Sequence, residues 1–266
     1  FVISSYLMVE LNNSNALIRI YSRMVSCSFI MMVCMSTFLL QSSKGMLLSI
    51  CVVMSFVMAF LSYQDKYSMG RIFYSFMSIG IGSMIDVSVL FFVPVMWLAM
   101  FFHLQSMTLR TFISSLFGLV CPYWFVAVYL IYTNDITLAV EHFSQLAVFG
   151  KVANFSQVPV SALVSICYIT ILSVVGIIHY LRNRVFDKTR TRMFYNTFIL
   201  FDIFTIAFII LQPQHYATML IILIVTTSPL IAHFIALTNT WITNLAFKVI
   251  VATALSLTII NILQLI

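Results

Sequence analysis

Apolar runs of 15–22 residues follow one another along this chain, with only short polar interruptions. They fall at 24–40, 46–62, 72–86, 87–102, 112–132, 160–181, 194–211, 217–237 and 244–265. The hydrocarbon core of a bilayer is about 30 Å thick, so about 20 apolar residues in a helix cross it. The pattern therefore predicts an all-α fold: a polytopic transmembrane helical bundle of nine complete spans, with residues 1–266 forming one integral membrane domain. A partial tenth helix covers 1–9. The first residue is Phe1 rather than Met, so further sequence is expected before it.

The stretch 72–104 decides the topology. It contains one charge, Asp86, and as a single helix it would be about 50 Å long. The positive-inside rule chooses between one span and two. With a reversal at Asp86, Arg19, Arg23, Lys66, Arg71, Arg110, Arg182, Arg184, Lys188, Arg190 and Arg192 gather on the inner side, against Lys44 and Lys151 outside. With a single span, five basic residues lie inside and seven outside. Two short helices are expected, which places Asp86, Asp135 and Glu141 on the outer side.

Between Thr133 and Gly150 the period changes. Ile136, Val140, Phe143 and Ala147 recur at helical spacing, with Thr137, Glu141, His142, Ser144 and Gln145 between them. This predicts an interfacial amphipathic helix over about 134–150, with Asn134 as N-cap and Gly150 as C-cap. It serves as a collar packed on the bundle or as a lid over a substrate.

Composition agrees with the pattern. Soluble domains are about 45–50% apolar and about 25% charged; this chain is 62% apolar and 8% charged, with mean hydropathy +1.10. Cys27, Cys34, Cys51, Cys121 and Cys167 all lie in apolar runs, where thiols act as small hydrophobes rather than as a disulfide framework. The net charge of +6 is scattered over helix ends, where anionic headgroups attract it, so the expected partners are membrane lipids, and other envelope membrane proteins, but not nucleic acid. The chain shows no P-loop, dinucleotide fingerprint or zinc spacing, and no cofactor or metal is expected.

Ionisable residues inside spans are costly, and each is a candidate for function. Asp202 lies about 13 Å along its helix from the inner end, with His233 and Lys248 as candidate partners, either as a structural pair or as an ion relay. Asp86 is a weak candidate general base, alone or paired with Glu141 or Asp135. His103 and His179 fall at inner ends, and His215 follows Pro213 in an outer turn. The basic cytoplasmic loop 182–192 (Arg182, Arg184, Lys188, Arg190 and Arg192) is either a topology anchor or a site for anionic lipid or phosphate, which arginine binds through two prongs. Pro122 and Pro229 predict kinks, and Ser78-x-x-x-Gly82 predicts close helix packing.

Four strings, at 10–23, 187–196, 212–216 and 228–238, carry a likeness: ELNNSNALIRIYSR, DKTRTRMFYN, QPQHY and SPLIAHFIALT. With them the whole chain resembles an uncharacterised family of polytopic inner-membrane proteins from Bacteroides-type bacteria. That resemblance implies a bacterial inner-membrane location, multi-pass, with apolar sequence upstream and no particular activity. Three readings of function stay open: a non-catalytic or transport-type component of cell-envelope processes, a membrane transferase acting on a polyprenyl-phosphate or lipid-linked sugar, and an ion-coupled transporter using Asp202.

Overall fold

Each of the nine apolar runs is helical in the computed structural model, which describes residues 1–148, 150, 152–238 and 240–263. The helices are α1 (Val2–Asn15), α2 (Met24–Met35), the single turn α3 (Thr37–Leu40), α4 (Ser43–Phe60), α5 (Met69–Ile85), α6 (Val93–Phe102), α7 (Leu109–Thr133), α8 (Ile136–Ser144), α9 (Val160–Asn183), α10 (Thr189–Leu211), α11 (Tyr216–Leu237) and α12 (Trp241–Leu263), with short 3-10 turns between some of them. Among the described residues there are no strands. Six helices, α4, α7, α9, α10, α11 and α12, are long and apolar enough to cross a bilayer. This falls short of the nine complete spans expected. At 12 and 17 residues, α2 and α5 are shorter, and the 87–102 run is a 3-10 turn, Val87–Phe92, followed by the short α6. The end of the ninth run, 264–265, and Lys151 lie outside the described residues.

The breaks have local causes. Helix α2 stops at Met35, where Asn261 Nδ2 donates to the freed Met35 carbonyl at 2.6 Å. Helix α5 stops at Ile85 because Asp86 is extended (φ −145°, ψ 114°) and its side chain accepts the Ser88 N–H, an N-cap for the 3-10 turn that follows. The chain reverses there. Helix α1 runs past Val9 to Asn15, because Asn12 holds loop 16–23 against it: Nδ2 donates to Ser22 O and Oδ1 accepts from Ile18 N.

Helix directions alternate through the bundle. Helix α5 lies antiparallel to α4, through Ser75 to the Ser55 carbonyl and Arg71 to the Leu61 carbonyl. It lies parallel to α7, through Ser114 to the Met69 carbonyl and Ser83 to Tyr123. A Cβ on Gly80 would meet Leu119 O at 2.7 Å, and one on Gly118 would meet Phe73 O at 2.4 Å. Those two glycines, rather than Ser78 and Gly82 alone, let the α5 and α7 backbones touch, while Gly82 faces Cys51 and Leu48 of α4. As a result, Arg19, Arg23, Lys66, Arg71, Arg110, Arg182, Arg184, Lys188, Arg190 and Arg192 share one end of the bundle, here termed the basic end, with Lys44 at the other.

Helix α11 is the axis. Every residue from Thr218 to Phe234 is buried, with α2, α4, α9 and α10 around it. A helix that is apolar on all sides demands such a position or lipid. Helices α7 and α12 take the lipid alternative, with Phe117, Trp124, Phe125, Tyr129, Leu255 and Ile259 exposed.

Two expected non-spanning pieces are revised. Helix α8 covers only Ile136–Ser144 before a 3-10 turn, Gln145–Ala147. Asn134 is left-handed (φ 58°) and closes α7 instead of capping α8, and the Gly150 N–H donates to Gln212 Oε1 at 2.9 Å. The amphipathic helix over 134–150 is therefore not formed as one element. The basic loop 182–192 is mostly helix: Arg182 ends α9, Arg190 and Arg192 start α10, and a 3-10 turn, Arg184–Phe186, joins them.

Candidate functional site

Helix α11 supplies a partner to each of three carboxylates that are buried or half-buried, Asp86, Asp187 and Asp202. Thr218 serves Asp86 at the end opposite the basic residues, Thr226 and Thr227 serve Asp202 in the middle, and His233 serves Asp187 at the basic end. Along α11 these partners are separated by about 12 Å and then about 10 Å of rise.

Asp202 is fully buried on α10, on the face that carries Phe194, Phe198, Phe201 and Thr205. Ser173 Oγ of α9 donates to Oδ2 at 2.5 Å, Thr227 Oγ1 donates to Oδ2 at 3.1 Å, and Thr226 Oγ1 donates to Oδ1. No cation among the described residues pairs with it. Thr226 Oγ1 also lies 2.9 Å from the Ile222 carbonyl. A hydroxyl has one proton and two lone pairs. Thr226 can therefore donate to a charged Asp202, or turn its proton to Ile222 and accept from a neutral one. Gly176 makes this reach possible. Its absent side chain lets α9 lie against the Leu230 backbone, where a Cβ would meet Leu230 C at 2.9 Å, and Ser173 and His179 stand one turn to either side.

At the basic end a chain of bonds fixes every proton. Asn183 Nδ2 donates to His179 Nε2 at 2.8 Å, so in the neutral ring Nδ1 carries the hydrogen and points it to His233 Nδ1 at 3.4 Å. His233 Nε2 then donates to Asp187 Oδ2 at 3.3 Å, and Arg19 Nε donates to Oδ1 at 2.7 Å. Burial pushes the Asp187 carboxyl up, but the hydrogen bonds from His233 and Arg19 and the charge of Arg19 outweigh it, and its pKa lies below the usual value. Tyr180 and Tyr195 stack at 4.8 Å beside His233 and seal the cluster from the bundle.

At the opposite end the order is similar. Gln214 Nε2 donates to the Val148 carbonyl and lies 3.1 Å from His215 Nε2. His215 Nδ1 then donates to Ser88 Oγ at 2.8 Å, and Ser88 Oγ donates to Asp86 Oδ1. Burial raises the Asp86 carboxyl, and the hydrogen bonds from Ser88 and Thr218 outweigh that and hold it below the ordinary carboxylate range.

Several expected pairings are not made. His233 serves Asp187, not Asp202, and Lys248 is exposed on α12. The reason is register: His233 lies two turns beyond Thr226 along α11, level with Asp187. Glu141 and Asp135 are exposed and do not pair with Asp86. Arg182, Arg184, Lys188 and Arg190 are exposed, and Arg192 is half-buried. Arg190 bonds Asn15 Oδ1 at 3.3 Å and lies over Tyr63 and Phe194. The basic residues and Asp86 stand at opposite ends of helices about 35 Å long, so a base at Asp86 and a phosphate held by those arginines do not form one site. Asp187, Ser173 and the hydroxyls of Thr226 and Thr227 were missed, because a serine or threonine in an apolar run gives no signal of what it faces. No three His, Cys, Asp or Glu among the described residues converge to hold a metal ion.

An all-helical bundle with six helices of membrane-crossing length and a buried carboxylate at its centre defines a multi-pass membrane protein. The chain matches no protein-family model, no curated protein and no solved structure.

Proposed function

We propose that the protein is a non-catalytic, transport-type component of the bacterial inner membrane serving the cell envelope, and that Asp202 is its ion-coupling group, with the proton as the ion. One observation carries this reading. A carboxylate with no cation partner among the described residues sits at the centre of the bundle, held there by hydroxyls able to satisfy it charged or neutral. A purely structural acid has no need of that second state. The basic end faces the cytoplasm, as cytoplasmic loops collect Lys and Arg, and shorter helices such as α2 and α5 cross with local thinning of the bilayer. Steps of about 10 Å between the three carboxylates exceed any hydrogen bond, so a proton advances only as the bundle rearranges between its ends.

The test needs no transported solute. Proteoliposomes on a solid-supported membrane are given a rapid pH jump, and the charge displaced is recorded. Wild-type protein should give a transient current that Asp202→Asn reduces at least about tenfold. A current unchanged in Asp202→Asn overturns the assignment. The transferase reading lacks a specific observation in its favour, because its acid and its phosphate-binding arginines lie at opposite ends.

A further inference from the structure

A second site lies away from the three carboxylates, where α8 folds back over α7. A cavity of about 370 Å³ is lined by Met84 at the end of α5, by Tyr123, Val126, Ala127 and Leu130 on one face of α7, and by Leu138, Ala139, His142 and Phe143 of α8. That volume is at the lower end of the about 300–1,000 Å³ of small-molecule sites. Its walls are apolar apart from two side chains, Tyr123 and His142. The hydrogen-bond order around those two decides what head group fits.

His142 Nε2 lies 2.8 Å from the Ser83 carbonyl. A carbonyl only accepts, so Nε2 carries the proton, and in the neutral ring Nδ1 is left as a lone pair. Ser83 Oγ lies 2.7 Å from the Gly80 carbonyl and 2.6 Å from Tyr123 Oη, so its one proton can serve either, and Tyr123 keeps both donor and acceptor roles. The acceptor that this order fixes is the lone pair of His142 Nδ1, among apolar walls beside the lipid-exposed residues Trp124 and Phe125 of α7.

We infer that this cavity binds a neutral, single-chain membrane amphiphile whose head donates a hydrogen bond, a long-chain alcohol in its simplest form. A carboxylate or phosphate would bring only acceptors to that lone pair and would lose its hydration among apolar walls. A methyl ether of the same chain would leave that lone pair unmet. Gly80, which permits the α5–α7 contact, also holds Ser83 in place to set this order, so the packing motif and the site are built from the same turn.

The experiment uses the full chain in nanodiscs and a hexadecanol carrying a diazirine in its chain. After irradiation, the labelled residues are mapped by mass spectrometry. Labelling should concentrate on 84 and 123–143. Unlabelled hexadecanol should compete at a concentration about five- to tenfold lower than hexadecyl methyl ether, the range expected for one hydrogen bond; palmitate should compete no better than the ether. Ala127→Leu, which fills the cavity without touching its polar groups, should remove the label, and His142→Phe should abolish the advantage of the alcohol over the ether. Equal competition by alcohol and ether in the wild-type protein overturns the head-group assignment. Label spread evenly over the exposed faces of α7 and α12 overturns the site.

Discussion

Asp187 is answered by Arg19 and His233, whereas the partners of Asp202 among the described residues are hydroxyls. Asp187 is held in its charged form by partners at both oxygens. Its folded pKa lies below the usual carboxylate value, as does that of Asp86. A depressed carboxylate adds stability that is complete above its unfolded pKa of about 3.9 and is lost as pH falls through the lower folded value. The melting temperature of the detergent-solubilised protein should therefore show no loss from these groups between pH 7 and 5 and fall below about pH 4. Asp187→Asn should remove part of that acid step, leaving the part owed to Asp86. At pH 7 the same variant should cost about 1–3 kcal/mol, because His233 loses its acceptor in a buried place. The estimate sits toward the lower end, since the Arg19 side chain is 39% exposed and solvent takes up part of the loss. An acid limb that is identical in the wild-type and Asp187→Asn proteins would remove Asp187 from the account.

Elements meet here through missing side chains. Gly118→Ala would drive a methyl to 2.4 Å from the Phe73 carbonyl oxygen, and Gly176→Ala would bring one to 2.9 Å from the Leu230 backbone. Backbone atoms cannot rotate away, so each helix pair must separate, at a cost of about 1–3 kcal/mol. Gly70, in the same helix as Gly80, has nothing within 4 Å of an added Cβ. Gly70→Ala should be neutral, or stabilising by up to about 1 kcal/mol through helix propensity. Thermal unfolding in one detergent ranks the three, and a Gly70→Ala protein as unstable as Gly118→Ala would contradict the packing described. Gly176→Ala carries a further consequence: withdrawing α9 from α11 loosens Ser173 from Asp202 and His179 from His233 together, so the charge displaced by a pH jump should fall as well as the melting temperature.

The two ends of the whole molecule differ in charge and in what they hold. In a cysteine-free background, Lys188→Cys and Asp135→Cys should react with an impermeant maleimide from opposite sides of sealed vesicles, with Lys188→Cys on the cytoplasmic side. Reaction of both from one side would undo the alternation of helices. A reversal of the two would leave the bundle intact but turn the proposed direction of proton entry around.

The sequence by itself determined where helices lie and where the chain reverses, because apolar length and the placement of arginines are set along one dimension. The reversal at Asp86 was legible in that way: one charge in a 33-residue apolar stretch, with basic residues that collect at one end only if the chain turns. Partners were not legible. Asp202 stood out as a charge in an apolar run, yet Ser173, Thr226 and Thr227 looked like any small polar residues that a helix tolerates. His233, one of two candidate partners for Asp202, meets Asp187 instead, because rotation and register about α11 cannot be read from spacing alone. The tertiary structure decided which side chains share a face across three helices, and it did so through the glycines that set how closely the backbones approach. Hydrogen-bond order at His142 belongs to the same category, since it depends on which carbonyl stands within 3 Å of a nitrogen, and only folded geometry supplies that.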